Sequence, residues 1–228
     1  MLIPGIDVLN HARARPVSWV VTSSPVSESA PVISLVTHNA SNPGSEIFNN
    51  YGAKPNSELL LGYGFTLPAN PEDTIILKIG GTRDTNAAPA AVAAHARFEV
   101  GREAHGATAV WDAIMDAVKA EEDHEEGSEA PEWQTILDSA DMLRSMTESL
   151  LGRLPSPPQA RTVPECEAGN IKLRGDVVEM IGHYVSGQLE VLQDLLQYAN
   201  DREMSGVAVA RQEGIEIQLE GGDDDLSE

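Results

Sequence analysis

The chain has 228 residues, enough for one large domain or two smaller ones, and its hydrophobic fraction of 41% and charged fraction of 22% are typical of a globular protein. No apolar run approaches the roughly 20 residues that a membrane span requires, and there is no signal-peptide pattern. The formal net charge is −21, and residues 91–228 hold 29 of the 36 acidic residues. This charge disfavours nucleic acids and anionic membranes as partners, and cytoplasm or nucleus is the default location.

The first 81 residues show the pattern of short strands separated by turns. Each apolar run is bounded by Pro, Ser, Asn, Thr or Gly rather than continued at helical spacing, which predicts strands. The predicted strands are Val17–Val21, Val32–Val36 and Ile75–Ile79.

Two further elements are predicted within this strand-rich part. Asn42-Pro43-Gly44 predicts a turn, and residues 46–48 after it predict another short strand. Residues 57–63 predict a two-turn helix, with Ser57 as its N-cap and Gly64 just beyond its end.

The second part of the chain shows helical spacing of its apolar residues. Residues 82–107 are predicted to be a linker followed by the start of a helical region, residues 108–213 a helical domain, and residues 214–228 an acidic tail. Three amphipathic helices are predicted, around residues 110–118, 133–151 and 177–199.

Three segments of the first part, read in order, form a recognisable pattern. They are residues 3–11, which end in Asn-His, residues 44–52, which end in Asn-Tyr-Gly, and residues 54–65, which end in Tyr-Gly-Phe, with Asn-Pro-Glu-Asp following at 70–73. Together they resemble the second half of a SET domain of the Rubisco-methyltransferase type. The resemblance implies an α+β fold, in which a partial β-rich SET domain at residues 1–81 precedes an α-helical substrate-binding domain.

The same resemblance implies a function and a set of site residues. Members of this family transfer a methyl group from S-adenosyl-L-methionine to a lysine of a protein substrate, and one branch methylates histidine. By position, Asn10 and His11 match cofactor contacts, Tyr51 matches the catalytic tyrosine, Tyr63 matches a second active-site tyrosine, and Phe65 matches a position that can line the substrate channel.

A chemical argument favours phenols at such a site, although each residue also has a simpler interpretation. A phenol can donate or accept a hydrogen bond without adding charge, and its ring can form the wall of a channel in which the acceptor amine is held neutral. From the residues alone, Asn10-His11 can equally be a turn that ends a strand. Tyr51 and Tyr63 can equally be ordinary half-buried aromatic residues.

The chain also departs from the family pattern. A SET domain begins with strands that carry a Gly-x-Gly element, whereas only nine residues precede Asn10. We therefore expect an N-terminally truncated SET domain, or a noncatalytic SET-derived module whose acidic helices bind a basic protein. The six histidines and the single Cys166 show no metal-ligand spacing, so no metal is expected.

Overall fold

The computed structural model describes residue 5 and residues 7–22, 31–79, 96–122, 130–156 and 174–217. Residues 82–95 of the predicted segment 82–107, Cys166 and the end of the predicted acidic tail lie outside these residues. Two compact units are present, Met1–Lys54 and Pro55–Glu228. The predicted domain division after residue 81 stays a prediction. Within the described ranges, no helix combines the length and the apolar character that crossing a membrane requires.

Helices and short two-stranded sheets make up the described chain, which confirms the predicted α+β class. The strands are β1 Val17–Thr22, β2 Val32–Thr37, β3 Thr74–Ile79 and β4 Ala96–Gly101. The helices are α1 Asn56–Tyr63, α2 Ala107–Glu122, α3 Glu132–Leu151 and α4 Gly175–Gln212, with a 3-10 turn at Arg102–Ala104 between β4 and α2.

The first unit contains both strands predicted there, β1 and β2, and the structure pairs them as an antiparallel ribbon. The predicted turn is also confirmed, because the amide of Ser45 donates to the carbonyl of Asn42 over 3.1 Å. The predicted strand at residues 46–48 is wrong. In the described part of the chain no ladder forms along these residues, and a single parallel bridge joins the next residue, Asn49, to His11.

The core of the second unit lies between the β3–β4 sheet and helices α2, α3 and α4. Side chains of successive strand residues point to opposite faces, so Ile75 and Leu77 of β3 are buried while Ile76 between them is exposed. Residues 96–101 form a strand, which corrects the prediction that helical spacing extends through this region. Strand β4 pairs along its whole length with β3, and this long-range pairing decides its conformation.

The three predicted helices are present, and α4 is longer than predicted, with 38 residues. Apolar residues at three- and four-residue spacing face the core, including Ile114 of α2, Leu143 of α3 and Leu195 of α4. An ion pair between Arg144 of α3 and Glu203 of α4 joins the two helices at their partly exposed flank.

Candidate functional site

Two segments that the sequence separates by almost 40 residues lie side by side in the first unit. The amide of Asn49 donates to the carbonyl of Asn10 over 2.8 Å, and the amide of Ala12 donates to the carbonyl of Asn49 over 2.9 Å. This is the bond pattern of a parallel bridge between His11 and Asn49. The Asn-His motif and the Asn-Tyr-Gly motif are therefore neighbours.

The side chain of Tyr51 is held against the Asn-His segment. Its hydroxyl donates a hydrogen bond to the carbonyl oxygen of Leu9 over 2.7 Å. Its ring centroid lies 5.2 Å from that of His11, with an angle of 31° between the ring planes. The structure thus brings together three of the five predicted site residues, Asn10, His11 and Tyr51.

The imidazole of His11 is held in its neutral form. Its Nδ1 accepts a hydrogen bond from the backbone amide of Tyr51 over 3.0 Å, so this nitrogen carries no proton. Burial lowers the pKa of His11 because it disfavours the charged imidazolium. His11 therefore acts here as an acceptor that positions the backbone of Tyr51.

The amide of Asn10 is oriented by an acidic residue that the sequence patterns did not single out. Its Nδ2 donates to Oε1 of Glu46 over 2.7 Å. Asn10 is exposed, and the bond to Glu46 fixes which end of its side chain is the donor. The amide oxygen of Asn10 is consequently the acceptor end of an oriented group.

The chain turns sharply just after Tyr51. The side-chain oxygen of Asn49 accepts from the amide of Asn50 over 2.7 Å, and that of Asn50 accepts from the amide of Gly52 over 3.0 Å. Gly52 has a φ of +97°, a backbone conformation that favours glycine. These local bonds fix the direction in which the chain leaves the site.

The other two predicted site residues, Tyr63 and Phe65, belong to the second unit. Tyr63 is the last residue of α1, where the amide of Gly64, at a φ of +76°, donates to the carbonyl of Leu60 over 3.1 Å. The ring centroids of Tyr63 and Phe65 are 6.3 Å apart, and Tyr63 is 49% exposed. The two aromatic residues thus form a partly exposed pair at the end of this helix.

Helix α1 is anchored by a buried polar network rather than by the predicted cap. Ser57 is not the N-cap, because the helix begins at Asn56 without a side-chain cap bond. The amide of Asn56 donates instead to Oδ1 of Asp73 over 2.7 Å, and its side-chain Nδ2 donates to Oδ2 of Asp73 over 3.0 Å. Burial raises the pKa of Asp73, and the hydrogen bonds from Asn56 oppose that rise.

The same network connects residues 55–73 to helix α4. The side chain of Asn56 also exchanges hydrogen bonds with the backbone of Leu67, over 2.8 and 2.9 Å. The carboxylate of Asp73 lies against Gly187 of α4, where a Cβ atom would come within 2.0 Å of Oδ2. The hydroxyl of Thr66 donates to the carbonyl of Met180 on the same helix over 3.2 Å. Helix α4 therefore supports the segment that carries Tyr63 and Phe65.

Comparison with known proteins supports the interpretation of the sequence motifs. A segment of 79 residues is 44% identical to the ribosomal lysine N-methyltransferase set10 of Schizosaccharomyces pombe, covering 35% of this chain and 14% of that protein. Over 79 residues the chain is 38% identical to ribosomal lysine N-methyltransferase 1 of Saccharomyces cerevisiae, covering 35% of this chain and 12% of that protein. The match thus spans a small part of the length of these relatives. No family model matches the chain.

The structure resembles that of the SET domain of LSMT bound to lysine and AdoHcy, with a TM-score of 0.63 and 15% sequence identity over 90% of this chain and 51% of that one. The TM-score is 0.60, with 16% identity and the same coverage, for Rubisco LSMT bound to sinefungin and monomethyllysine. The chain shares the fold of LSMT. The predicted resemblance to the SET-domain lysine methyltransferases is confirmed.

Sequence reasoning missed several groups that hold the predicted site residues of each unit in place. Glu46 orients Asn10 and lies within the second motif, residues 44–52. The presence of an acidic residue in that motif could therefore have pointed to it. The carbonyl of Leu9 gave no signal, because every residue has one. Asp73 and Gly187 are far apart in sequence, and only the packing of the Asn-Pro-Glu-Asp segment on α4 reveals their contact.

Proposed function

We propose that this chain is part of an S-adenosyl-L-methionine-dependent protein-lysine methyltransferase. The observation that carries the proposal is the hydrogen bond of the Tyr51 hydroxyl to the Leu9 carbonyl, directly beside Asn10-His11. The names of both matched relatives and the ligands of the two LSMT structures support it. The proposed roles are cofactor contact for Asn10 and His11, polarising phenol for Tyr51, channel wall and hydrogen-bond partner for Tyr63, and channel lining for Phe65.

The residues around Asn10 fit the amino-acid end of this cofactor. S-Adenosyl-L-methionine supplies a methyl group on a sulfonium, and its other end carries an ammonium and a carboxylate. The amide oxygen of Asn10 is oriented as an acceptor, and Glu46 beside it adds negative charge, as an ammonium group requires. In the bridge to Asn49, the N–H and C=O of His11 point to the opposite side, which suits a backbone contact.

Tyr51 is suited to polarise the methyl group without carrying a formal charge. Its hydroxyl proton is committed to the Leu9 carbonyl, so the phenolic oxygen can present its lone pairs to the positively polarised methyl carbon. The contact between Tyr51 and the imidazole of His11 holds the phenol in place, so little reorganisation is needed during the reaction.

The aromatic pair of the second unit is suited to surround the acceptor side chain. A lysine amine has an ordinary pKa near 10.4 and must be neutral to attack the methyl carbon, so removal from water favours the reactive form. Tyr63 and Phe65 offer two tilted rings for this purpose. The acceptor is proposed to be a lysine of a protein. The substrate assay would reveal a histidine acceptor instead if the label were found on histidine.

The proposal is tested by methyl transfer from radiolabelled S-adenosyl-L-methionine to basic protein fractions, ribosomal proteins first. Tyr51→Phe in the full-length protein should lower turnover by about 100-fold. Tyr184→Phe is the matched control, because Tyr184 is a half-buried tyrosine of α4 outside the matched motifs, and it should leave turnover unchanged. Unchanged turnover in Tyr51→Phe would contradict the assignment.

Calorimetry with the cofactor separates this proposal from the noncatalytic alternative. Cofactor binding that is weakened by Asn10→Ala supports the enzyme. Absence of cofactor binding, together with capture of a basic protein by the acidic helical region, would favour a SET-derived interaction module instead.

A further inference from the structure

A groove of about 600 Å³ runs between strand β3 and the C-terminal half of helix α3, within the second unit. Strand β3 contributes the consecutive residues Ile76, Leu77 and Lys78 to its wall. Successive strand residues point to opposite faces, so a groove lined by all three follows the edge of the strand. The groove belongs to neither of the residue clusters described above.

This edge of β3 has no neighbouring strand in the described part of the chain. The sheet contains β3 and β4 alone, and β4 occupies the other edge of β3. An unpaired strand edge presents a row of backbone donors and acceptors that can pair with another chain. The groove of about 600 Å³ lies beside this strand, between β3 and α3.

The groove carries positive charge in a protein with a formal net charge of −21. Lys78 and Arg153 line it, and none of the lining residues is acidic. Arg97 lies directly opposite Lys78 in the sheet, on the same outward face, where like charges repel each other. Within the residues that the structure describes, none of these three cations has an ion pair or a side-chain hydrogen bond.

Apolar side chains accompany these charges. Ile76 is 58% exposed on the outward face of β3, and the half-buried Met146 and Leu150 of α3 form the opposite wall. Glu99 is the cross-strand partner of Ile76, and the hydroxyl of Thr74 donates to it over 2.9 Å. The negative charge on this face therefore lies toward Thr74 and the positive charge toward the other end of β3.

We propose that this groove binds an extended acidic peptide segment of a partner protein, which adds as a strand to the free edge of β3. Backbone pairing with β3 would hold the peptide, and its apolar side chains would cover Ile76. Its carboxylates would pair with Lys78, Arg97 and Arg153. The position of Glu99 places the acidic residues of the peptide at the Lys78 end of the strand.

Fluorescence anisotropy with the full chain tests this proposal. The probe is a labelled, end-capped peptide of about nine residues with Val in one half and Glu in the other, so that apolar side chains can reach Ile76 and carboxylates Lys78 on the same face. Lys78→Glu combined with Arg153→Glu should weaken binding by at least about tenfold, because both groove cations are reversed. Lys119→Glu is the matched control, since it reverses an exposed cation of α2 away from the groove and should leave the affinity unchanged.

Two further peptides distinguish strand addition from charge attraction alone. A peptide with Lys in place of Glu should not bind, and a peptide with alternate Val residues replaced by Pro should bind more weakly, because Pro cannot donate to the strand edge. Hydrogen exchange of β3 amides should slow when the acidic peptide is added.

Three results would overturn the proposal. The first is that the unmodified chain does not bind the Glu-Val peptide, and the second is that the double charge-reversal variant binds it with the same affinity. The third is that the β3 amides already exchange slowly in the free chain and that the peptide does not change their exchange rate. The last result would mean that a segment of the chain itself occupies the groove. Circular dichroism of the double variant checks that it is folded.

Discussion

The backbone amide of Tyr51 donates a hydrogen bond to Nδ1 of His11 over 3.0 Å, and this bond exists only while Nδ1 is unprotonated. The same two residues are also in ring contact. The protonation state of His11 is thus linked to the position of Tyr51, the residue proposed to polarise the methyl group.

The first prediction follows from the lowered pKa of His11. Below its ordinary pKa of 6.5 the unfolded chain binds a proton that the folded chain resists, so the folded state loses stability as pH falls. The contribution of His11 is fully present above about 6.5 and is lost as pH falls through the folded-state pKa. Thermal unfolding of the first unit at pH 7.5 and pH 5.5 should show this loss.

His11→Asn separates this effect from the titration of the other histidines. Asparagine keeps a side-chain oxygen that can accept the Tyr51 amide but does not titrate. The variant should lose less stability than the unmodified chain between the same two pH values. An identical pH dependence in both proteins would show that His11 does not carry the effect.

Tyr51→Phe should also have a measurable structural effect. The variant removes the donor to the Leu9 carbonyl, so the free energy of unfolding should fall by about 1 kcal/mol, as measured by urea denaturation. The far larger expected loss of turnover would then reflect chemistry rather than unfolding. A loss of stability large enough to unfold the protein at assay temperature would undermine that separation.

Gly187→Ala should destabilise the second unit. The new Cβ would overlap the buried carboxylate of Asp73, and overpacking of this kind costs about 1–3 kcal/mol. Gly182→Ala in the same helix is the matched control, because its Cβ would enter open space and alanine is the better helix former by about 0.5–1 kcal/mol. Chemical denaturation should therefore shift in opposite directions for the two variants; equal shifts would contradict the close contact with Asp73.

Asn56→Ala and Ser57→Ala should differ although the residues are adjacent. Removal of the Asn56 side chain leaves the Leu67 backbone and Oδ2 of Asp73 without this partner in a buried site, which should cost about 3 kcal/mol. Ser57 makes no cap bond, so its replacement should change the free energy of unfolding by less than about 0.5 kcal/mol. A large fall in the free energy of unfolding for Ser57→Ala would instead support the predicted role of Ser57 as the N-cap.

The local pattern of the sequence was sufficient for most of the helices and strands. Helical spacing predicted α2, α3 and α4 because it reflects burial of one helix face, and bounded apolar runs predicted β1, β2 and β3. Strand β4 was missed because its six residues gain a strand conformation by pairing with β3 rather than from their own composition. Residues 46–48 were wrongly predicted to be a strand, because in the described residues no neighbouring strand pairs along them.

The sequence by itself determined the family resemblance and the identity of the five candidate site residues, because the order of short motifs is a property of the chain alone. Only the tertiary structure decided that Asn10, His11 and Tyr51 share one hydrogen-bonded cluster and that Asp73 rests on Gly187 of α4. The physical reason is that these contacts join residues far apart in the chain. Their distances and protonation states depend on packing and burial, to which no local pattern refers.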